Sequence, residues 1–250
     1  MDPDISILFQ GELTQEQVRA ELSPAYNRRT IPAHERKIAS IWEQRRQKNP
    51  RLFNGSKFRF HSAELRGGAL ALRLGLTCYR DYLGTNWAAE APWLRRQGLA
   101  DGGNSQAYLA EPLGVGAMVL TADRCFVFLR RSEEVAEAAG LVDIPGGHPE
   151  PKVNIPLENL NRPVLLGIVR NNRSAGRASA EFYVRCELTS EEVRQRYLIG
   201  GPEAQESTSI IFIRQQDVLN LDQCPSSWQE LCPSAKGGVR LYTLVRPGLG

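Results

Sequence analysis

The chain has 250 residues, of which 42% are hydrophobic and 24% charged, values typical of a globular protein with one large or two small domains. Its 31 Lys and Arg against 28 Asp and Glu leave a net charge of +3, a basic excess too small for a nucleic-acid-binding surface. The acidic first residues do not fit a signal peptide, and no apolar run approaches the ~20 residues of a membrane span. We therefore expect an intracellular protein of the cytoplasm or nucleus, not secreted, with neither nucleic acid nor membrane as a partner.

The cysteine content agrees with an intracellular location. There are five cysteines, an odd number, and none forms a C-x-x-C pair. We expect reduced thiols that pack as small hydrophobic residues. With only three histidines and no Cys/His cluster, a zinc site is not expected.

The first hundred residues predict helices on either side of a hairpin. TQEQVRAEL begins with a capping threonine and predicts one helix, and Pro32 begins a second that has Ile38 and Trp42 on its apolar face. SKFRFHS predicts a half-buried strand with Phe58 and Phe60 inward and Arg59 toward solvent. A Gly-Gly turn then leads into the strand ALALRLGLTCY.

A third helix and a linker are predicted next. TNWAAEAPWLRRQG predicts a helix that buries Trp87, Ala91 and Leu94 and stops at Gly98. Residues 100–106 contain two glycines, an asparagine and a serine, a composition typical of a linker.

The remainder of the chain is rich in predicted strands. LGVGAMVLTA and CFVFLRR predict a hairpin, and three later segments predict further strands: PVLLGIVRN, SAEFYVRCEL and TSIIFIRQ. TSEEVRQRYL predicts a helix capped by Thr189 or Ser190, and the last twenty or so residues predict a closing helix. The irregular order of helices and strands indicates an α+β fold.

Several common catalytic patterns are absent from the sequence. There is no phosphate-binding P-loop and no G-x-S-x-G nucleophile elbow, and the H-E-x-x-H pattern begun at His34 is broken at Ile38. Zinc hydrolysis and acyl transfer are therefore not expected.

The segment GLVDIPGGHPEP, residues 140–151, concentrates chemically active side chains. It places Asp143, His148 and Glu150 in one short stretch, with Gly146 and Gly147 allowing the backbone to approach a ligand closely. The residue pattern alone is equally consistent with a solvated turn.

Several strings resemble the animal UDP-glucose diphosphatase branch of the Nudix superfamily and together span nearly the whole chain. They are LTCYRDYLGTNW, QAYLAEPLGVGA, LVDIPGGHPEP, SAGRASAEFYV, GGPEAQES and LCPSAKG. The resemblance implies a Nudix-like mixed sheet flanked by helices over residues 106–250. It also implies a smaller α/β region over residues 1–105 that contributes to the substrate pocket.

The family's catalytic pattern is interrupted in this chain. The Nudix box reads G-x5-E-x7-R-E-U-x-E-E-x-G-U, with U aliphatic, and its glutamates hold Mg²⁺ against the pyrophosphate. Counted from Gly146 or Gly147, the first glutamate falls on Lys152 or Val153, and no R-E-U-x-E-E follows. We predict that the box is truncated after Pro151 and that its sheet-covering helix is deleted. We also predict that an apolar face is thereby exposed.

The resemblance also implies a set of substrate-binding residues. The aromatic members Phe53 and Tyr79 would pack on the uracil or ribose. The members implied to bind the sugar diphosphate or shape its pocket are Arg131, Ala136, Asp143, His148 and Glu150. Arg177 and Glu181 are further pocket candidates, and Glu206 is a candidate general base.

The resemblance implies a Mg²⁺-dependent enzyme that hydrolyses UDP-glucose, and UDP-galactose, to UMP and hexose 1-phosphate. Because no residue of this chain matches the family's metal-binding glutamates, we predict that Mg²⁺ binding is lost or weak and that the chain is weakly active or inactive. The alternative is a non-catalytic nucleotide-sugar-binding or interaction isoform.

Overall fold

A computed structural model describes residues 2–50, 52–133, 135, 137–147, 157–200 and 207–248. The chain divides into two compact units, each built from segments that are distant in sequence. The large-sheet unit comprises Met1–Glu16, Gly114–Arg170 and Ser179–Gly250. The small-sheet unit comprises Gln17–Leu113 and Asn171–Ala178.

Strands and helices alternate irregularly, which confirms the predicted α+β class. The strands are β1 Ile5–Leu13, β2 Val18–Leu22, β3 Ser56–Arg66, β4 Ala69–Cys78, β5 Gly114–Leu120, β6 Cys125–Arg131, β7 Val142–Asp143, β8 Gly146–Gly147, β9 Val164–Asn171, β10 Arg177–Arg185 and β11 Ser207–Arg214. The helices are α1 Pro32–Lys48, α2 Tyr79–Gly84, α3 Ala91–Gly102, α4 Ser190–Ile199, α5 Gln215–Val218, α6 Pro225–Glu230 and α7 Pro233–Val245. Within the described residues, none of these helices is both long and apolar enough to cross a lipid bilayer.

Eight strands of the described chain form the mixed sheet of the large-sheet unit. The main path runs β1-β9-β10-β5-β6-β11, with the short strands β7 on β6 and β8 on β5. The predicted hairpin is confirmed, since β5 and β6 pair antiparallel, whereas β10 runs parallel to β5. The predicted capping of α4 is also confirmed, because Thr189 and Glu192 form a reciprocal capping box.

Apolar side chains are buried on two sides of this sheet. One cluster joins residues of α7, such as Val239 and Leu241, to Met118 on β5. A second cluster joins Val193 on α4 to Val119 on β5. Helix α4 therefore packs on one side of the sheet and α7 on the other.

Small residues let α7 and β1 lie close to strand β9. A Cβ atom on Gly237 of α7 would come within 2.6 Å of Val169. A Cβ atom on Gly167 of β9 would overlap the carbonyl oxygen of Phe9 and lie 2.7 Å from Leu241. These glycines are needed because neighbouring atoms already occupy the space of a side chain.

The small-sheet unit is built on a three-stranded sheet in the order β2-β4-β3. The predicted helix at TQEQVRAEL is wrong, because Val18–Leu22 instead pairs parallel with Leu70–Leu74. Strand pairing across the unit outweighs the local helical pattern.

The predicted orientation of SKFRFHS is also wrong for its central residue, Arg59, which was expected to face solvent. Arg59 is 1% exposed, and its guanidinium donates to the carbonyl oxygens of Tyr26, Leu109 and Gln106. Phe58, expected to be inward, is 50% exposed. The guanidinium can be buried here because backbone carbonyl oxygens replace the hydrogen bonds that it would make to water.

Helix α3 begins later than predicted and continues past the predicted stop. Trp87, predicted to be inward, precedes the helix and is 40% exposed. Gly98 lies inside the helix, where a Cβ atom would overlap the carbonyl oxygen of Asn104, and the left-handed residue after the helix is Gly103, with φ +70°. The predicted linker is therefore partly helical, and its last residue, Gln106, is buried. Helix α1 begins at Pro32 and buries Ile38 and Trp42, as predicted.

We expect Gly167→Ala to lower the free energy of unfolding by about 1–3 kcal/mol, because the added methyl overpacks a site lined by backbone and by Leu241. The matched control is Gly102→Ala, whose Cβ atom would meet only the flexible end of Arg29 at 3.2 Å. Urea unfolding of both variants measures the difference. Equal stability of the two variants would contradict this close packing.

Candidate functional site

Asp143 lies at the centre of a polar cluster in the large-sheet unit. It is the last residue of β7, in register with Leu129 of β6. One carboxylate oxygen, Oδ1, accepts hydrogen bonds from the Ile144 amide at 2.9 Å and the Ser234 hydroxyl at 2.8 Å. The other, Oδ2, accepts from the guanidinium of Arg131 at 3.1 Å. The carboxylate is therefore held on both sides.

Arg131 is positioned by β6 and by the loop that follows it. Its Nε donates to the carbonyl oxygen of Glu137 at 3.1 Å, and its backbone amide donates to Leu141. The side chains of Arg131 and Asp143 are 19% and 18% exposed, so the ion pair is enclosed but reachable from solvent. A guanidinium with five donors can keep these contacts and also bind a phosphate oxygen.

The thiol of Cys232 lies beside this pair. Burial raises the pKa of the Cys232 thiol well above its usual value, and the nearby carboxylate of Asp143 adds to the effect. The Cys232 sulfur is 3.1 Å from the hydroxyl of Ser234. A neutral thiol is a packing group here rather than a nucleophile. Cys186 and Cys232 are buried, whereas Cys224 is exposed, so the predicted packing of the cysteines as small hydrophobic residues is wrong for Cys224.

The glycine pair after Asp143 forms strand β8 rather than an open loop. Gly146 pairs with Gly116 of β5, and a Cβ atom on Gly146 would lie 2.8 Å from the Gly116 Cα. Gly147 has φ +123°, which favours glycine. The close backbone approach that was expected toward a ligand is therefore, in the described structure, an approach to β5.

Glu181 lies in register with Gly116 and Gly146 across the sheet. It is opposite Gly116 on the parallel strand β10, and it is completely buried. A Cβ atom on Gly116 would overlap its carboxylate. Glu181, Gly116 and Gly146 therefore follow one another across three strands, and the carboxylate lies over the glycine of the central strand.

The aromatic candidates belong to the small-sheet unit. Tyr79, the first residue of α2, stacks on Tyr82 with 6.3 Å between ring centroids and 26° between ring planes. The guanidinium of Arg177 lies 5.9 Å from the centre of the Tyr82 ring. Tyr82 thus contacts two candidates and was not itself singled out by the sequence analysis. Phe53 is 81% exposed.

A buried polar network in the same unit was also missed. The Asn86 amide nitrogen donates to Glu111 at 2.8 Å and to the carbonyl oxygen of Ser174 at 3.3 Å, and the Glu111 backbone amide donates back to Asn86 at 3.0 Å. Glu111 is fully buried, with φ +46°. Asn86, Glu111 and Ser174 are far apart in the sequence, and no spacing rule connects them.

Four candidates fall outside the described residues: Ala136, His148, Glu150 and Glu206. Within the described ranges, no three His, Cys, Asp or Glu side chains come together as they would around a metal ion. The described residues bring Arg131 together with Asp143, and Tyr79 with Arg177 through Tyr82.

Comparison with known proteins identifies close relatives. The chain is 53% identical to a human protein named uridine diphosphate glucose pyrophosphatase NUDT22, over 98% of this chain and 94% of that protein. It is equally identical to the bovine protein of the same name, over 98% and 99% of the two chains. An Arabidopsis thaliana protein named Nudix hydrolase 9 is 29% identical, over 93% of this chain and 88% of that protein. No protein-family model matches the chain.

The alignments are longer than the chain. They extend over 287 positions for the human and bovine proteins, against 250 residues here, so at least 37 aligned positions have no counterpart in this chain. Among solved structures, a Nudix hydrolase from M. smegmatis, RenU, superimposes with a TM-score of 0.32 and 12% identity, over 54% of this chain and 86% of that chain.

Proposed function

This chain belongs to the Nudix hydrolase family of uridine diphosphate glucose pyrophosphatases, and from that membership we propose that it binds UDP-glucose but hydrolyses it slowly or not at all. The observation that carries the proposal is the break in the Nudix box after Pro151. The alignments with the human and bovine relatives contain at least 37 positions without a counterpart in this chain, as a deletion would leave.

The binding half of the proposal rests on the pair of Arg131 and Asp143. A guanidinium suits the diphosphate of a nucleotide sugar because it can donate two parallel hydrogen bonds to phosphate oxygens. A carboxylate beside it suits a sugar hydroxyl, which donates to it. Since Arg131 and Asp143 are ordered by backbone contacts and by each other, little side-chain entropy is lost when a ligand binds.

The aromatic group of the small-sheet unit supports recognition of the nucleoside. Tyr79 presents a half-buried ring that is held by stacking on Tyr82. Such a ring offers a flat apolar surface to a base or ribose with few torsions to restrain. We propose Tyr79 and Phe53 as contacts of the uracil or ribose, as the family resemblance implies, and Arg177 and Glu181 as further candidates.

The proposed slow hydrolysis follows from the negative charge that develops in the transition state. Attack of water on phosphorus moves negative charge onto the phosphoryl oxygens and the leaving oxygen, and rate depends on stabilising that charge. In the family pattern, glutamates hold Mg²⁺ for this purpose. This sequence has none of those glutamates between Gly147 and β9 in the family spacing. Arg131 alone binds substrate and transition state alike, which strengthens binding without raising turnover.

The alternative role is a nucleotide-sugar-binding protein with no hydrolytic activity at all. Both versions share the same ligand site and differ only in residual turnover. UDP-galactose differs from UDP-glucose at one hydroxyl, and we propose it as a second ligand of the same site.

We expect isothermal titration with UDP-glucose to show one-site binding, and an assay of UMP release with Mg²⁺ to show turnover far below that of the human relative. Binding is expected because the Arg131–Asp143 pair is retained, and slow turnover because the box glutamates are missing. Turnover equal to that of the relative would refute the proposal. Absence of binding, with an intact thermal transition, would refute its first half.

Arg131→Ala is expected to weaken UDP-glucose binding by about tenfold or more, since it removes a charge-assisted contact to phosphate. Its matched control is Arg130→Ala, the preceding arginine, which pairs instead with Glu230 at 2.7 Å and the Gly140 carbonyl. Titration calorimetry compares the two variants. Equal losses for both would indicate a general charge effect rather than a phosphate contact at Arg131.

A further inference from the structure

The first turn of α7 is attached to strand β7. Leu231 forms a parallel bridge with Val142, and the Cys232 amide donates to the Val142 carbonyl oxygen at 2.9 Å. Pro233 then begins the helix. Because these contacts fix where α7 starts, they place Ser234 beside Asp143, 91 residues earlier in the chain.

Ser234 contacts one of the two carboxylate oxygens of Asp143. It donates to Oδ1 at 2.8 Å, while Arg131 contacts Oδ2 at 3.1 Å. The carboxylate cannot rotate about its own axis without breaking the contacts on both oxygens. Its position at the N-terminal end of α7 also suits its negative charge.

We propose that Ser234 is a positioning residue for UDP-sugar binding: its hydroxyl orients Asp143, and through Asp143 it aims Arg131 at the diphosphate. The inference rests on the proposed function, in which both residues contact substrate. Without the hydroxyl, Oδ1 keeps only the Ile144 amide of its two described donors. The carboxylate can then turn, and the guanidinium that pairs with it loses its fixed direction. Ser234 touches no substrate in this account.

The test compares Ser234→Ala with Ser234→Thr, which keeps the hydroxyl. The Ala variant is expected to bind UDP-glucose about tenfold more weakly, the size of effect that one hydrogen bond to a charged group produces. The Thr variant is expected to bind as the unaltered protein does. UMP, which lacks the second phosphate and the sugar, is expected to bind all three proteins equally. Ser226→Ala is the matched control, because that serine contacts only Cys224 among its described hydrogen-bond partners.

A readout without ligand separates positioning from a purely structural role. The Nε–H of Arg131, which donates to Glu137, gives its own signal in ¹H–¹⁵N spectra. Ser234→Ala is expected to shift and broaden that signal, and Ser234→Thr to restore it. Overturning results are an unchanged signal with unchanged UDP-glucose affinity, or equal losses in the Ala and Thr variants together with a lower melting temperature.

The same experiment distinguishes failure of this inference from failure of the proposed function. If the unaltered protein does not bind UDP-glucose, the proposed function fails, and a restored Arg131 signal in Ser234→Thr still supports positioning by Ser234. If the unaltered protein binds and Ser234→Ala binds equally well, the inference fails and the proposed function stands.

Discussion

The hydrogen-bonded carboxylate of Asp143 is the interaction on which the candidate site depends. It lies where β7, the end of β6 and the start of α7 meet, and each contributes a partner: Ile144 just after β7, Arg131 from β6 and Ser234 from α7. A carboxylate that is mostly enclosed is stable only when hydrogen-bond donors of the protein replace the water molecules it has lost. That requirement couples the backbone at the end of β7 to the helix that covers one side of the sheet. The Asp143 carboxylate, proposed to contact a ligand, therefore also links three elements of the fold.

The hydrogen bonds of Asp143 bear on our proposal that the chain lacks a catalytic segment but keeps a binding site. The partners of Asp143 come from before residue 148 and from α7, on either side of the break in the Nudix box. The described part of the large sheet keeps apolar clusters on two sides, one with α7 and one with α4. Neither the Asp143 cluster nor these apolar clusters depend on the family's glutamates. The proposed loss of turnover with retained binding is consistent with this arrangement.

Local patterns predicted the elements whose stability is local. The hairpin of β5 and β6 and the capping box of α4 were predicted correctly, because in both the interacting residues are close in the sequence. Predictions failed where a distant partner decides the structure. Residues 18–22 form a strand because β4 offers an edge, and Arg59 is buried because three carbonyl oxygens accept from it. The role of Ser234 was hidden for the same reason. It stands within LCPSAKG, a string that carried the family resemblance, but no spacing rule connects it to Asp143.

The most direct measurement of the central claim is a restoration of activity. A segment with the family's R-E-U-x-E-E pattern would be inserted after Pro151, and UMP release from UDP-glucose would be compared with that of the unaltered chain at equal substrate occupancy. If the missing segment is the only catalytic defect, the chimera should release UMP at least about 100-fold faster, the scale of effect expected when preorganised charge stabilisation is restored. A chimera that folds and binds UDP-glucose but hydrolyses it no faster than the unaltered chain would contradict the account.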